Sequence, residues 1–287
     1  MLSLLFIAEV VFVDTASAAR ALDRGAPIVD ARGARAARPY VRGARLIEWT
    51  EMRDGFGRTG RLDDDLDAVA RHLEAAGVRW DRAVYVIGAA REGWGEEGRI
   101  WWTLRYLGHD RVFIIDGGVR AWIDARLPTA DAPLEGTRGP PGSSRPARLN
   151  LSLRVSAEEI SRATKSGSAS LLDARTREEY EGATPYLEAR AGHIQGALSL
   201  PWVDLLRPDG KLRSTTQLEA IFEQHGVTAG QPGASGGSGR SIAYCTGGVR
   251  SAFVVAVLRH LGRDAANYDG SFWEWARRPE LPITNSP

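Results

Sequence analysis

The sequence has 287 residues, of which 43% are hydrophobic and 25% charged, a balance typical of globular proteins and enough chain for two domains. Its formal net charge of +1 offers no global field for nucleic acid or an anionic membrane, so any anion must be bound at a local site. The single cysteine excludes an intramolecular disulfide and a cysteine-rich zinc site, and the five histidines lack metal-ligand spacing, so we expect no metal.

The chain begins with an apolar segment, residues 1–13, which we interpret as a buried strand. A signal peptide is the alternative, since Ala16-Ser17-Ala18 resembles a cleavage site. Against that alternative, no basic residue precedes Arg20, and Glu9 and Asp14 interrupt the apolar run. No segment reaches the ~18 uninterrupted apolar residues of a transmembrane helix, so the sequence predicts no membrane span.

Three short motifs occur twice, in the same order, in the two halves of the chain. The pairs are Asp30-Ala31-Arg32 with Asp173-Ala174-Arg175, Leu-Arg-x-Leu-Gly at 104–108 with 258–262, and Asp-Gly plus a later Trp at 116–122 with 269–275. Such a repeat predicts a duplicated domain. A segment rich in Pro, Gly and Ser separates the halves and is typical of a linker. We therefore predict a first domain over 1–127, a linker over 128–148 and a second domain over 149–287.

Short apolar runs alternate with helical patterns in both halves. The predicted strands are 83–87, 169–173, 196–200, 241–244 and 265–268, and the predicted helices are 216–225 and 252–261. This alternation indicates an α/β fold in which each domain is a parallel sheet with helices on both faces. Ligands of such sheets bind where strand C-termini meet helix N-termini. The low-complexity segment 230–239 is predicted to be a flexible surface loop without a chemical role.

One strand–helix connection, the segment from Cys245 to Arg250, has the composition of a reactive site. It reads Cys-Thr-Gly-Gly-Val-Arg, and its glycines allow the backbone N–H groups to curl inward around an anion. The dipole of the following helix and the Arg250 guanidinium add positive charge. A thiol there is expected to have a lowered pKa and an accessible, reactive sulfur. The alternative is an inert buried cysteine, but the Gly-Gly and Arg context favours a nucleophile.

This loop and four further motifs resemble those of the rhodanese family of sulfurtransferases. The further motifs are Asp-x-Arg with Glu-Tyr at 173–180, Gly-His-Ile-x-Gly-Ala at 192–197, the segment 265–275, and Asp-Gly-Gly-x-x-Ala-Trp at 116–122. The resemblance implies two tandem rhodanese-like domains and a catalytic nucleophile at Cys245. It also implies that substrate is bound by the rest of the loop, namely Thr246, Gly247, Gly248, Val249 and Arg250. No cofactor is implied beyond a covalent persulfide on Cys245.

The first half departs from the family pattern at the corresponding loop. Residues 88–98 contain no cysteine and form a longer connection, and Glu96 and Glu97 stand just before the next helix, where their charge would repel an anion. This matches two-domain sulfurtransferases whose first domain is catalytically silent. We expect that domain to pack against the second and to wall its active site.

Other polar residues of the motifs have structural interpretations beside catalytic ones. His193 could act as a general base, but in the family its motif is structural. Asp173 and Arg175 are expected to form a structural ion pair rather than a catalytic dyad. The nine tryptophans are expected mainly in the core or the domain interface, and the sequence does not select those that line the cleft.

We therefore expect a sulfurtransferase that moves the sulfane sulfur of thiosulfate to cyanide or a thiol through a persulfide on Cys245. The alternative donor is 3-mercaptopyruvate, whose carboxylate would need an arginine upstream of the Gly-His-Ile motif. Only Arg190 is present there and is the candidate substrate contact, while Glu179 stands where many relatives carry an arginine. Arg250 favours a doubly charged anion such as thiosulfate.

Two other functions are alternatives to sulfur transfer. Cysteine-based phosphatases with the same fold place five residues between cysteine and arginine, whereas four lie between Cys245 and Arg250. The other alternative is a non-catalytic sulfur-carrier or binding module; regulatory rhodanese domains usually lack the cysteine, which this chain keeps. The expected partners are a small anionic donor and a thiophilic acceptor, with no nucleic acid and no membrane. We expect a monomer in the cytoplasm, with the periplasm left open.

Overall fold

The first half of the chain folds around a parallel sheet in the structure, a computed structural model that describes residues 9–55, 59–134, 145–227 and 239–285. Its strands are β1 (Phe12–Val13), β2 (Ile28–Asp30), β4 (Arg45–Leu46), β5 (Val84–Ile87) and β6 (Val112–Ile115). In the described residues they are ordered β1-β6-β5-β2-β4. The helices are α1 (Thr15–Asp23), α2 (Leu66–Ala75), α3 (Glu96–Tyr106) and α4 (Gly118–Asp124). A small antiparallel pair joins β3 (Tyr40–Val41) to β7 (Thr129–Ala130).

The second half repeats this arrangement. Its strands β8 (Ala169–Asp173), β10 (Leu198–Ser199), β11 (Arg240–Tyr244) and β12 (Ala265–Asn267) are parallel and ordered β10-β8-β11-β12. The helices are α5 (Ala157–Ser166), α6 (Arg177–Glu181), α7 (Thr215–Gln224), α8 (Arg250–His260) and α9 (Ser271–Trp275). An antiparallel pair joins β9 (His193–Ile194) to β13 (Ile283–Thr284).

Local sequence signals account for several helix starts. Ser156 with Glu159, Thr176 with Glu179, and Ser214 with Gln217 each form a capping box, in which two side chains satisfy backbone N–H groups at the first turn. The helix after Cys245 has another basis. Every residue of α8 from Arg250 to Arg259 is buried, so packing on both domains holds it in place rather than one apolar stripe.

The structure confirms the predicted fold class and adjusts several element limits. Helix α8 begins at Arg250 rather than at 252, which places the arginine in the first turn beside the cysteine. At the N-terminus only Phe12–Val13 form a strand among the described residues, and residues 1–8 lie outside them. Thr129–Ala130, at the start of the predicted linker, pair with the first domain. Residues 135–144 of that linker and 228–238, which include most of the predicted flexible loop, also lie outside the described residues.

The two domains pack through equivalent helices, α3 and α8. A Cβ on Gly98 would lie 2.4 Å from the Cα of Phe253, so only glycine permits this approach. Equivalent loops then cross the interface in both directions. The N–H of Leu62 donates to Asp269 at 2.8 Å, and the N–H of Leu212 donates to Asp116 at 2.7 Å. Each domain therefore presses a loop against the strand–helix connections of the other. None of the helices described is long and apolar enough to cross a membrane.

Candidate active site

Cys245 lies at the C-terminal end of β11 and begins the cysteine loop, residues 245–249, which leads directly into α8. Gly248 adopts a φ of +74°, the left-handed conformation that lets this short loop curl. The Cys245 N–H donates to the Ser271 hydroxyl at 3.1 Å, which anchors the loop to the start of α9. The side chain is 1% exposed, which corrects the expectation of an accessible sulfur: packing against the other domain and α9 closes over the loop.

The surroundings of the sulfur favour the thiolate. Burial raises the pKa of the Cys245 thiol, but the Arg250 charge and hydrogen bonds from Ser251 and the Gly247 N–H outweigh it, so that the pKa falls below its usual value. Ser251 was not among the residues predicted to bind substrate. It was missed because the helix was predicted to begin at 252, whereas α8 begins at Arg250 and puts the Ser251 N–H in the first turn, where it points back toward the sulfur.

Arg250 is held by a buried carboxylate. Its Nη1 and Nη2 atoms donate to Glu179 at 2.6 and 2.8 Å, and Nη2 also donates to the Thr246 hydroxyl at 2.7 Å. Burial raises the pKa of Glu179, but these hydrogen bonds and the Arg250 charge have the larger, opposite effect. The pKa of Glu179 therefore lies below its usual value, and the carboxylate is ionised. Glu179 neutralises Arg250, which argues against the expectation that the Arg250 charge favours a doubly charged anion. The sequence signalled the two partners separately, as the Glu-Tyr motif and the cysteine loop, but it did not indicate that they pair across 71 positions.

Arg190, the candidate substrate contact, has a structural role instead. Its guanidinium donates to the carbonyl oxygens of Trp275, Ala276, Arg278 and Leu281 at 2.7 to 3.0 Å. These bonds occupy four of the five guanidinium N–H groups. Arg190 therefore ties the segment after α9 to the rest of the second domain, and the expectation that it contacts substrate is corrected.

Aromatic side chains surround the cysteine loop, and the structure shows which of the tryptophans lie there. The Trp273 ring covers Gly247, where a Cβ would lie 2.7 Å from the ring, and its Nε1 donates to the Tyr186 carbonyl at 3.1 Å. The Tyr186 ring lies against the Arg250 guanidinium and meets Trp94 of the first domain edge-on, with 5.3 Å between ring centroids. Trp94 is 42% exposed, so the first domain supplies part of the outer wall of the site.

The polar residues of the other motifs support the sheet beneath the loop. Arg175 and Asp173 form the predicted ion pair at 2.7 Å, fully buried, and the Tyr244 hydroxyl donates to Asp173 at 2.6 Å. His193 is buried, stacks on the Tyr180 ring and bonds the Tyr180 carbonyl through Nδ1 at 2.9 Å. These contacts fix the strand ends that carry the loop. Within the described ranges, no three His, Cys, Asp or Glu side chains converge in a way that could hold a metal ion.

The equivalent connection of the first domain, residues 88–95, has its own carboxylate in the position of a cysteine side chain. Gly88 follows β5 as Cys245 follows β11, and a Cβ on Gly88 would lie 2.0 Å from Oε2 of Glu97. Burial and the Asp30 charge raise the pKa of Glu97 to about 7, although an Ala90 N–H bonds it. The neighbouring Glu96 accepts from the Trp94 N–H at 2.8 Å and pairs with Arg35. These internal carboxylates occupy the loop.

Comparison with known proteins places both halves in one family. The rhodanese-like domain family matches residues 14–125 and 156–278. A sulfur carrier protein, TtuD, from Thermus thermophilus is 28% identical over 85% of each chain. Thiosulfate sulfurtransferase from Mus musculus is 31% identical over 85% of this chain and 80% of the relative. The crystal structure of a 3-mercaptopyruvate sulfotransferase, SseA from Escherichia coli, superposes with a TM-score of 0.74 at 25% identity, covering 91% of this chain and 98% of that one.

Proposed function

Because this chain belongs to the rhodanese family of sulfurtransferases, we propose that it transfers the sulfane sulfur of thiosulfate to a thiophilic acceptor through a persulfide on Cys245. The observation that carries the proposal is the thiol environment. Cys245 begins a tight loop, and Arg250, Ser251 and the Gly247 N–H all favour its thiolate. Thiolate is the nucleophilic form of cysteine, so a lowered thiol pKa increases the fraction of the protein that is able to attack.

The first half-reaction loads the enzyme. The Cys245 thiolate attacks the outer sulfur of thiosulfate, a sulfur–sulfur bond forms, and the bond between the two thiosulfate sulfurs breaks. Sulfite leaves with the electron pair of that bond. The N–H groups of residues 246–250 and the N-terminus of α8 stabilise the charge as it moves from the cysteine sulfur to the departing sulfite.

The second half-reaction removes the sulfur from the persulfide. Cyanide or a thiolate attacks the outer sulfur of the persulfide, and the electron pair of the broken bond returns to Cys245 as thiolate. Because the donor product leaves before the acceptor reacts, ping-pong kinetics are expected. Because Cys245 is only 1% exposed, we expect small acceptors such as cyanide to react faster than bulky ones.

The choice of thiosulfate over 3-mercaptopyruvate rests on the arginines. A mercaptopyruvate carboxylate needs a guanidinium partner, yet Arg190 is bound to four backbone carbonyls. Arg250 is bound by Glu179 and is therefore not free to pair with a substrate carboxylate. Backbone N–H groups remain, and the oxygens of a sulfonate group accept hydrogen bonds from such groups without a dedicated cation.

The test is a comparison of kcat/KM for the two donors with cyanide as acceptor, paired with mass spectrometry of the donor-treated protein. We expect thiosulfate to give the larger kcat/KM and to add the mass of one sulfur atom to the protein. A larger kcat/KM for 3-mercaptopyruvate would replace the donor but retain the persulfide. If neither donor adds sulfur to a folded, fully reduced protein, the sulfur-transfer mechanism is excluded.

A further inference from the structure

A buried arginine of the silent domain contacts the cysteine loop. Arg99, in the first turns of α3, is 1% exposed, and its Nη1 donates to the Gly248 carbonyl at 3.2 Å. Its Nη2 donates at 2.7 Å to the carbonyl of Gly60, a first-domain residue. A Cβ on Gly60 would lie 2.0 Å from the Gly247 carbonyl oxygen, so this segment is pressed against the loop. Arg99 therefore bridges the two backbones that meet there.

The internal repeat shows that this contact has no counterpart in the opposite direction. Aligning Leu104 with Leu258 in the repeated Leu-Arg-x-Leu-Gly motif makes Arg99 equivalent to Phe253. Phe253 also lies at the interface, but it presents an apolar side chain. A Cβ built on Gly95 would lie 3.0 Å from the Phe253 Cβ. The pseudo-symmetry thus breaks at this position. The domain with the cysteine receives a cation, and the silent domain receives an apolar ring.

The geometry of the peptide bond gives the contact a consequence for the sulfur. The Gly248 carbonyl also accepts from the Asn267 side chain at 3.1 Å, so two donors from two domains hold it. In a trans peptide the carbonyl and the following N–H point in opposite directions. Fixing the Gly248 oxygen toward Arg99 therefore turns the Val249 N–H to the other side of the peptide, away from Arg99.

The Arg99 charge adds to this effect. The guanidinium lies against the rings of Trp49 and Trp102, with 5.7 and 4.9 Å to their centroids. Burial lowers the pKa of Arg99 to about 10, while the Asp269 and Cys245 charges act to raise it. The side chain is still cationic at neutral pH. It places a positive charge behind the cysteine loop where water is excluded and screening is weak.

We propose that Arg99 is a positioning residue for sulfur transfer, which fixes the Gly248–Val249 peptide from behind so that the loop N–H groups stay directed at the sulfur and its anion. The silent domain would then take part in the reaction by orienting the loop. This inference rests on the proposed function for its substrate, but it makes a claim about the thiol itself that needs no substrate.

The test compares Arg99→Met with Arg105→Met, a matched control on the same helix. Arg105 donates to the His109 carbonyl at 2.8 Å and pairs with Glu9, so it touches neither the loop nor Gly60. The readouts are the pH midpoint of iodoacetamide alkylation of the only cysteine and kcat/KM for thiosulfate. In Arg99→Met we expect the midpoint to rise by about half a pH unit or more and kcat/KM to fall about tenfold. Arg105→Met should match wild type in both.

A purely structural role of Arg99 would lower the thermal stability of Arg99→Met and leave its alkylation midpoint at the wild-type value, and that result in the folded variant would overturn the proposal. If Arg99→Met does not fold, Arg99→Lys decides, since lysine keeps the charge but cannot bridge both carbonyls. We expect its kcat/KM to fall several-fold, and wild-type kcat/KM would overturn the proposal. Wild type that takes no sulfur from thiosulfate contradicts the proposed function instead, while the alkylation midpoints still test Arg99.

Discussion

The two equivalent strand–helix connections of this duplicated chain share one architecture but hold different side chains, a thiol in one and a carboxylate in the other. In the second domain, Cys245 follows the strand, and its sulfur receives hydrogen bonds from Ser251 and the Gly247 N–H. In the first domain Gly88 follows the equivalent strand, and the Glu97 carboxylate lies where a cysteine side chain would be. Both loops hold an anionic or ionisable group against a helix N-terminus. The difference is whether that group can react.

The helix starts show how the difference is encoded. The repeat aligns Glu96 with Arg250 and Glu97 with Ser251, so a carboxylate replaces the arginine and a second one replaces the serine. In the second domain Arg250 pairs with Glu179 and leaves the loop interior to the thiol. In the first, Glu96 pairs with Arg35 and Glu97 turns inward. In the first domain, carboxylates of the chain itself therefore occupy the position that the thiol occupies in the second domain.

The largest expected effect tests whether the cysteine alone accounts for the difference in reactivity between the two loops. Cys245→Ser should abolish the mass gain after thiosulfate treatment, because a serine hydroxyl is not ionised at neutral pH and does not form a persulfide. Adding Gly88→Cys to this variant should restore no sulfur loading, since Glu97 fills the space. Mass spectrometry checks both. Loading on a cysteine at position 88 would show that the first-domain loop is competent and that the comparison is wrong.

The next effect concerns the ion pair of the reactive loop. Glu179→Gln leaves the buried, 7%-exposed Arg250 without its counter-charge and should lower the free energy of unfolding by about 4 kcal/mol. The matched control is Glu181→Gln on the same helix, whose ion pair with Arg177 is half-exposed. That variant should lose about 0.5 kcal/mol or less. Urea unfolding at pH 7 measures both, and equal losses would mean that the Glu179 pair contributes no more than a surface pair.

A smaller effect, dependent on pH, is expected from the Glu97 carboxylate in the first-domain connection. Burial raises the pKa of folded Glu97 to about 7 from an unfolded value near 4.5, so folding favours its protonated form. The corresponding stability is fully present below pH 4.5 and is lost as the pH rises to 7, a change of about 3 kcal/mol. Glu97→Gln should remove this change, so that the variant gains on wild type between pH 4.5 and 8. Parallel stability curves from denaturant unfolding would contradict the assignment.

Local and repeated features of this fold were readable from the sequence. The strand 169–173 has the predicted limits, and the α/β class followed from the alternation of apolar runs and helical patterns. The reactive loop was also identifiable, because a cysteine, two glycines and an arginine lie within six consecutive residues. Such signals are short-range, so they survive without knowledge of tertiary contacts.

The contacts that set the chemistry were not readable, because they join residues far apart in the chain. Glu179 binds Arg250 across 71 positions, and Arg99 reaches Gly248 across 149. The misassigned Arg190 shows the same limit, since its carbonyl partners lie 85 to 91 positions away. The sequence can report which charges exist, but only the packed structure decides which of them are already neutralised or bound.

The smallest expected effect is a shift in the ionisation of the reactive thiol, and the single cysteine makes it measurable without labels. The folded protein should show its half-maximal alkylation at a lower pH than the same protein unfolded in urea, where a thiol has a pKa of about 8.5. Because the folded pKa is depressed, the thiolate persists down to that lower midpoint and reactivity is lost only as the pH falls through it. The midpoint is the informative quantity, since steric shielding slows alkylation by the same factor at every pH, whereas the midpoint follows the pKa of the thiol. A folded midpoint at or above the unfolded one would mean that burial outweighs Arg250, Ser251 and the Gly247 N–H, and the two loops would then differ in side chain alone rather than in how they treat a negative charge.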